Sequence, residues 1–324
     1  MPVLTAPTIP ASHLDLVDAP PVAALTTLMP DGYPQTSVVW CNTNRTHVLV
    51  STMRGFQKER NMRRDPRVAL LCYDPREPLR YLAIQGRVVE MTESGALQHL
   101  EALAEEYLGR RLRYFGEVIP AEFAASETPV LCRIAPTRLV AVDARGRRHA
   151  CAGHGASGDA IPAGAAAVGR AGPHGSMDRA TGQGPGTAVP ASHLDLFQRP
   201  ICGVLTTLGA DGQPTSSLVW VDHDGECACV NTTLERQKGR DLAGDPRVSL
   251  LVVDPDDSGR FVQIRGDGEL VEAGALEHLD RLTRRYTRHP AYYGHIYPHE
   301  QQALERRVTC RIHARRIQLD AIHR

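Results

Sequence analysis

Hydroxyl and cationic side chains lie close together in one stretch of the sequence, residues 51–61. Ser51 and Thr52 end a predicted strand, and Lys58 and Arg60 follow on a predicted helix. A helix N-terminus directly after a strand offers free backbone N–H groups and a favourable dipole to an anion. Lysine adds a point charge and arginine a bidentate fork. The segment therefore predicts a phosphate cradle, and the alternative is a solvated basic helix face.

The same segment occurs again about 180 residues later, where the corresponding residues are Asn231, Thr232, Lys238 and Arg240. The match extends well beyond this segment: residues 10–16 recur letter for letter as 190–196, and residues 65–68 recur as 245–248. Solenoid repeats have periods of only ~20–50 residues, so this is a duplicated domain. Repetition of the whole segment favours the cradle over the solvated face.

The chain divides into two copies and a connecting segment. We expect an N-terminal domain at residues 10–143 and a C-terminal domain at residues 188–324, each large enough to bury its own core. Residues 144–187 are rich in Gly and Ala and hold almost no large apolar side chain. Such a composition predicts a flexible linker.

Short runs of β-branched and aromatic residues predict that each copy is mainly β. In the first copy the predicted strands cover residues 23–28, 35–41, 46–51, 68–73, 81–90, 130–135 and 138–142, with a bulge at Gly86. Helices are predicted at residues 56–64 and 92–108, and the second copy repeats the longer one at residues 273–286. Strands of this length with inserted helices indicate a small antiparallel barrel.

Composition excludes several classes of partner. Lys+Arg and Asp+Glu both number 37, which argues against nucleic acid, because such binding needs clustered excess cations. No run approaches the ~20 apolar residues of a membrane span, and the N-terminus has no signal-peptide pattern. The eight cysteines are scattered without a CxxC pair. We therefore expect a cytoplasmic protein with a small-molecule ligand.

The ordered motifs resemble the pyridoxamine 5′-phosphate oxidase-like split β-barrels. The resemblance is closest to their flavin/deazaflavin oxidoreductase branch, which uses the deazaflavin coenzyme F420. It covers residues 10–143 and again 190–322. The residues that carry it are Asp31-Gly32, Pro34, Ser37, Trp40, Ser51-Thr52, Lys58-Glu-Arg-Asn61, Arg64-Asp-Pro-Arg-Val68, Asp74-Pro75, Arg80-Tyr81 and Gly86-Arg87.

The resemblance implies both an architecture and a chemistry. The two copies would be tandem split β-barrels that form an intramolecular pseudo-dimer, with the cofactor in a groove at their interface. The protein would be an oxidoreductase that uses F420 to transfer hydride to a small or polycyclic organic acceptor. The hydride chemistry belongs to the cofactor, so no catalytic side chain is assigned.

Carried over residue by residue, the resemblance implies two sets of cofactor contacts. The first set is Ser37, Trp40, Ser51, Thr52, Lys58, Arg60 and Asn61, with Arg80 and Tyr81 supplied to the neighbouring site. The second set is Ser217, Trp220, Asn231, Thr232, Lys238, Arg240, Arg260 and Phe261. The copies differ where Asn61 becomes Asp241, which adds negative charge near the predicted phosphate. We therefore expect the second site to be the weaker one.

Other interpretations remain open at this point. The same fold would suit an FMN-dependent oxidase or reductase. A non-catalytic cofactor-binding or haem-binding protein is a further alternative, with His313 or His323 as an axial ligand. Trp40 and Trp220 could belong to the barrel core instead of lying beside a cofactor ring.

Overall fold

The structure is a computed structural model that describes residues 7–143, 148–149 and 188–320. The predicted linker at residues 144–187 lies outside the described residues, apart from 148–149. Within the described part, no helix has the length and apolar character of a membrane span.

The N-terminal copy alternates strands with two α-helices. A 3-10 helix (Ala11–Leu16) precedes them, and short helical turns at Tyr114–Val118 and Ala121–Ala125 lead into β7. The elements are β1 Val22–Leu28, β2 Pro34–Val39, β3 Cys41–Thr43, β4 Val48–Met53, α1 Gln57–Arg64, β5 Arg67–Tyr73, β6 Tyr81–Thr92, α2 Ala96–Leu108, β7 Pro129–Val142 and β8 Arg148–His149.

The C-terminal copy repeats this order. A 3-10 turn (Ala191–His193) opens it, and another (His299–Leu304) precedes its last strand. The elements are α3 Asp195–Gln198, β9 Cys202–Leu208, β10 Pro214–His223, β11 Ala228–Thr233, α4 Gln237–Gly244, β12 Arg247–Val253, β13 Phe261–Val271, α5 Ala275–Thr287 and β14 Arg307–Leu319.

Both copies curl their antiparallel strands into barrels. The C-terminal barrel is closed in the order β10-β11-β14-β13-β12-β9. The N-terminal sheet runs β2-β1-β5-β6-β7-β4-β3, and β3 begins two residues after β2 ends, so the sheet also curls round. Alternate residues fill each interior, with Leu25, Leu70 and Ile84 in one barrel and Leu205, Leu250 and Ile264 in the other. The predicted mainly-β class is confirmed.

The two barrels pack against each other along their outer faces. One apolar cluster contains Ala24, Leu71 and Val142 from the first barrel together with Val204 and Leu251 from the second. All five side chains are buried. Burial of this much apolar surface between the copies makes the chain an intramolecular pseudo-dimer, as predicted.

Reciprocal contacts at the hairpin turns add to this interface. The Arg67 guanidinium donates to the carbonyl oxygen of Asp211 at 2.7 Å, and that of Arg247 donates to Asp31 at 3.3 Å. The glycine after each aspartate has a positive φ, and a Cβ on Gly212 would lie 2.7 Å from Arg67. The repeated Asp-Gly turn therefore both reverses the chain and admits an arginine from the other barrel.

Three sequence predictions of elements are corrected by the structure. The third strand, β4, is shifted to residues 48–53, because Asn44 accepts hydrogen bonds from the backbone of Thr46 and His47 in a turn. Helix α2 begins only at Ala96, because β6 continues to Thr92 and Gly95 turns the chain with φ of 75°. The third correction concerns the last strand of the copy.

Residues 130–135 and 138–142 form one strand, β7, instead of two. Pro136 lies opposite Gly86 at a register shift between Gln85 and Gly86. Proline has no N–H to donate, and a bulge is where a sheet tolerates it. The bulge predicted at Gly86 is confirmed, and a Cβ there would lie 2.7 Å from the Ile134 side chain.

Candidate functional site

A groove of about 570 Å³ lies between the two barrels. One wall comes from β6 and β7 of the first barrel, and the other from β10 and the first residue of α4 in the second. The wall residues are Tyr81, Ala83, Ile84, Gln85, Arg138 and Val140 on one side and Thr215, Ser216, Ser217 and Gln237 on the other. This volume includes the solvent at the open mouth of the groove, so the space enclosed by the walls is smaller.

The register between β6 and β7 determines which side chains form the first wall of the groove. Ala83 lies opposite Val140, and Gln85 lies opposite Arg138, in the pairing of β6 with β7. Alternate residues of a strand share a face, so these side chains form one surface that is apolar at one end and polar at the other. Gln85 Nε2 also donates to Thr215 Oγ1 at 2.6 Å across the groove, which holds the two walls together.

Helix α4 begins at the second wall. Arg240 is exposed, and its Nη2 donates to Gln237 Oε1 at 3.0 Å. The Gln237 amide in turn donates to Asp241 Oδ1 at 2.6 Å, and Thr207 Oγ1 donates to Asp241 Oδ2 at 2.8 Å. The Asp241 carboxylate is thus buried among internal donors. The negative charge of Asp241 is therefore stabilised by these internal donors and does not face a ligand at the start of the helix.

Helix α1 of the first copy already holds an internal anion at its start. Gly55 N–H, two residues before the first residue of α1, donates to Glu59 Oε2 at 3.1 Å, and the Glu59 side chain is 3% exposed. The equivalent residue of α4 is Gly239, whose Cβ would lie 2.0 Å from the carbonyl oxygen of Thr233. The start of α4 therefore lacks the carboxylate that occupies the start of α1.

The two predicted lysines are buried. Lys58 is 2% exposed and Lys238 is 6% exposed, and neither lines the groove. Arg60 and Arg240, in contrast, are exposed on their helices. Asn61 is buried and plays a structural part, because its Nδ2 donates to Thr27 Oγ1 at 3.0 Å. Of these helix residues, Arg240 lies beside Gln237 of the groove.

Arg80 and Arg260 have structural partners instead of the predicted place at the cofactor site. Arg80 forks onto Asp15, with a closest distance of 2.6 Å, and Arg260 forks onto Asp195 at 2.5 Å. These hydrogen bonds hold the pKa of both aspartates below its usual value. Each arginine thus anchors the N-terminal helical turn of its own copy. Tyr81, the neighbour of Arg80, lines the groove.

The two tryptophans are covered by helices and do not line the groove. Trp40 is 6% exposed and stacks on Tyr107 of α2, with ring centroids 5.2 Å apart. Trp220 is 9% exposed and stacks on Tyr286 of α5 at 5.1 Å. Both rings therefore join the barrel to its long helix, and neither lines the groove.

The predicted strand-end hydroxyls also face the helices. Ser51 Oγ lies 2.7 Å from His99 Nδ1, and His99 Nε2 lies 3.0 Å from Asn42 Oδ1. Because that amide oxygen can only accept, Nε2 carries the proton and Ser51 donates to Nδ1. Asn231 Nδ2 donates to the carbonyl oxygen of Ala275 at 2.8 Å. The hydroxyls of Thr52 and Thr232 are buried without a hydrogen-bond partner among the described residues.

Of the second set of predicted residues, Ser217 lines the open groove. Ser217 is half-buried in it, whereas the equivalent Ser37 is 4% exposed. The opposite face of the interface carries larger side chains than the open wall, with Gln263, Arg265 and Gln318 where the open wall has Ala83, Gln85 and Val140. The geometry is thus at odds with the expectation that the second site is the weaker one.

Sequence reasoning missed the groove residues Ala83, Gln85, Arg138, Val140, Thr215 and Gln237. They match no motif, and the signal that could have found them is strand alternation. Every second residue of residues 81–85 and 138–142 belongs to one face. Placing that face against β10 requires the packing of the two barrels, which sequence alternation does not specify.

The histidine proposed for haem lies elsewhere. His313 is half exposed on β14, where its Nε2 lies 2.8 Å from Glu269 Oε2, and it does not line the groove. His323 lies outside the described residues.

Comparison with known proteins identifies the family. Residues 9–142 and 189–319 each match the sequence profile of pyridoxamine 5′-phosphate oxidase. The chain belongs to this family. Its tandem arrangement explains the duplication, because each family segment corresponds to one barrel. No curated protein matches the chain.

Solved structures resemble one copy of this family member at a time. An F420 reductase is 28% identical over 40% of this chain and 98% of its own, with a TM-score of 0.35. A conserved hypothetical protein from Mycobacterium tuberculosis is 31% identical over 44% of this chain and 90% of its own, with a TM-score of 0.33. The haem storage protein of Vibrio cholerae is 14% identical over 41% and 95%, with a TM-score of 0.32.

Proposed function

We propose that this family member binds coenzyme F420 in the groove between its barrels and transfers hydride between it and a small or polycyclic organic acceptor. The observation that carries the proposal is the groove itself, because its walls come from both copies. This is where the family resemblance implies a cofactor.

The groove residues suit a planar, anionic ligand. Ala83 and Val140 offer an apolar surface to a tricyclic ring, and the neighbouring Tyr81 adds an aromatic one. The polar side chains of Gln85, Thr215 and Ser217 can satisfy the heteroatoms at the edge of such a ring. A ligand that is both flat and hydrogen-bonding fits this donor set.

The phosphate of the cofactor has a matching set of donors. The start of α4, next to Gln237, provides backbone N–H groups, and it has Gly239 where α1 has the carboxylate of Glu59. Arg240 lies on the same turn, and Arg138 adds a second positive charge from the other wall. We assign the phosphate contact to these arginines, since both lysines are buried.

The cofactor, when bound, supplies the hydride chemistry. This chain's residues bind and orient it and exclude water: the Gln85–Thr215 hydrogen bond closes the groove from one side, and the apolar wall removes solvent from the ring.

The test is a titration of the purified protein with F420, followed by quenching of its fluorescence. We expect saturable binding, and Arg138→Gln should weaken it at least about tenfold by removing a charged hydrogen-bond donor. The matched control is Arg281→Gln, which removes an equal charge from the exposed surface of α5 and should leave the affinity unchanged. Equal weakening by both variants would contradict a contact at Arg138.

Two other outcomes would favour the alternatives. FMN retained through purification, or FMN bound more tightly than F420, would overturn the F420 assignment in favour of an FMN-dependent oxidase or reductase. A Soret band on haem addition, abolished by replacing His313, would favour a haem-binding protein.

A further inference from the structure

Two arginines stand directly opposite each other on the interface face that the groove does not use. Arg265 of β13 and Arg316 of β14 are register partners in the antiparallel pairing of these strands. Neither guanidinium has a hydrogen bond or an ion pair anywhere in residues 7–143, 148–149 and 188–320. Arg265 is half-buried and Arg316 is exposed.

Such an arrangement is unfavourable without a counter-ion. Like charges directly opposite each other on a sheet face repel, and a half-buried guanidinium also loses hydration. Burial lowers the pKa of Arg265 most, and the charge of Arg316 lowers it further, by less than the nearby Asp31 carboxylate raises it. The carboxyl group of Asp31 and the phenol of Tyr33 raise that pKa, but neither forms an ion pair with Arg265.

The first copy shows that the fold does not require this pair. At the equivalent positions it has Gln85 opposite Arg138, a neutral donor beside one cation. Gln85 uses its amide to bind Thr215 of the other barrel. In the second copy the change from glutamine to arginine replaces that interdomain bond with an unpaired charge.

We propose that Arg265 and Arg316 together bind a phosphate group, at a site separate from the groove. Two guanidinium groups on adjacent strands present the forked donors that phosphate oxygens accept. The larger side chains Gln263 and Gln318 lie on neighbouring positions of the same face, where the open wall has Ala83 and Val140. They narrow this face against a cofactor ring, and the buried Gln263 amide donates to Ser249 Oγ at 3.1 Å, so the phosphate contact is assigned to the two arginines alone.

Calorimetric titration with inorganic phosphate at constant ionic strength tests the site. We expect saturable binding to the full chain, and Arg265→Gln, which installs the residue of the first copy, should weaken it at least about tenfold. Arg281→Gln is the charge-matched control and should bind phosphate as the unchanged protein does. F420 binding should be unaffected by Arg265→Gln, which separates this proposal from the proposed function.

Thermal unfolding gives a second readout. Without phosphate, Arg265→Gln should melt at a higher temperature than the unchanged protein, because the cost of half-burying a guanidinium is gone together with its repulsion from Arg316. Saturating phosphate should raise the melting temperature of the unchanged protein and hardly change that of the variant. An equal phosphate effect on both proteins, or no saturable binding to the unchanged protein, would overturn the proposal.

Discussion

The hydroxyl groups of Thr26 and Thr206 lie 3.0 Å apart at the centre of the interface between the barrels. The two residues are 180 positions apart and occupy equivalent places in β1 and β9. Each also contacts a hydroxyl on the neighbouring strand of its own barrel, at Thr36 and Ser216, with both distances 2.8 Å. The two copies thus contact each other through equivalent residues at a pseudo-twofold axis.

We expect Thr206→Val to destabilise the protein by about 1–3 kcal/mol, because it leaves the buried hydroxyls of Thr26 and Ser216 without this partner. Urea unfolding measures the change. Ser126→Ala removes an exposed hydroxyl and should change the free energy of unfolding by less than about 0.5 kcal/mol. Equal effects of the two substitutions would show that the hydroxyl cluster does not stabilise the interface.

The turn glycines provide a matched pair of substitutions. Gly212 and Gly109 have φ values of 72° and 71°, so alanine should cost about 1 kcal/mol of strain at each. At Gly212 the added methyl group would also displace Arg67 from Asp211, whereas at Gly109 nothing lies within 4 Å. Gly212→Ala should therefore be the more destabilising by about 1 kcal/mol. Equal losses in urea unfolding would mean that the arginine contact adds nothing.

Two histidines predict how stability depends on pH. Burial lowers the pKa of His99 and of His278 from 6.5 to about 4. A depressed folded-state pKa means that the stabilising contribution is complete above the unfolded-state pKa of 6.5 and is lost as the pH falls towards 4. The loss is up to roughly 3 kcal/mol for each residue.

His99→Gln should flatten the decline in stability between pH 6.5 and pH 4, while it lowers stability at pH 7 through the lost contacts to Ser51 and Asn42. Denaturant unfolding at several pH values measures both effects. A decline as steep in the variant as in the unchanged protein would contradict the role of His99.

A single substitution can give the groove wall the larger side chain that the opposite face carries at the equivalent position. Ala83→Gln places in the groove the side chain that the second copy has at position 263, and we expect F420 binding to weaken at least about tenfold through the lost volume. Ala124→Gln, on the exposed turn before β7, is the control and should leave binding unchanged. Unaltered binding to Ala83→Gln would place the ligand elsewhere.

The sequence predicted the repeat, the strands and the bulge at Gly86, because period-2 patterns and turn residues depend only on local chain chemistry. It could not show that Arg67 reaches Asp211, since that contact joins residues 144 positions apart. Nor could it show that Lys58 is buried, because the surrounding helix sequence is strongly basic. The groove residues Gln85 and Arg138 depend on the β6–β7 register, which the bulge shifts.

The substitutions between the copies also needed the structure for their interpretation. Asp241 suggested a weakened second site, yet its carboxylate is satisfied by Thr207 and Gln237. Glu59 had no predicted role, although its buried carboxylate accepts from Gly55 N–H just before α1. Whether a charged side chain is available to a ligand depends on the hydrogen-bond partners that it already has within the protein.

The number of F420 molecules bound per chain tests the central claim most directly. Equilibrium titration of the full chain should give one bound F420, because Ser217 lines the groove described here whereas the equivalent Ser37 is buried. At the same concentrations, the Ala83→Gln variant should bind no F420. Two equivalent F420 molecules per chain, or none, would contradict the account.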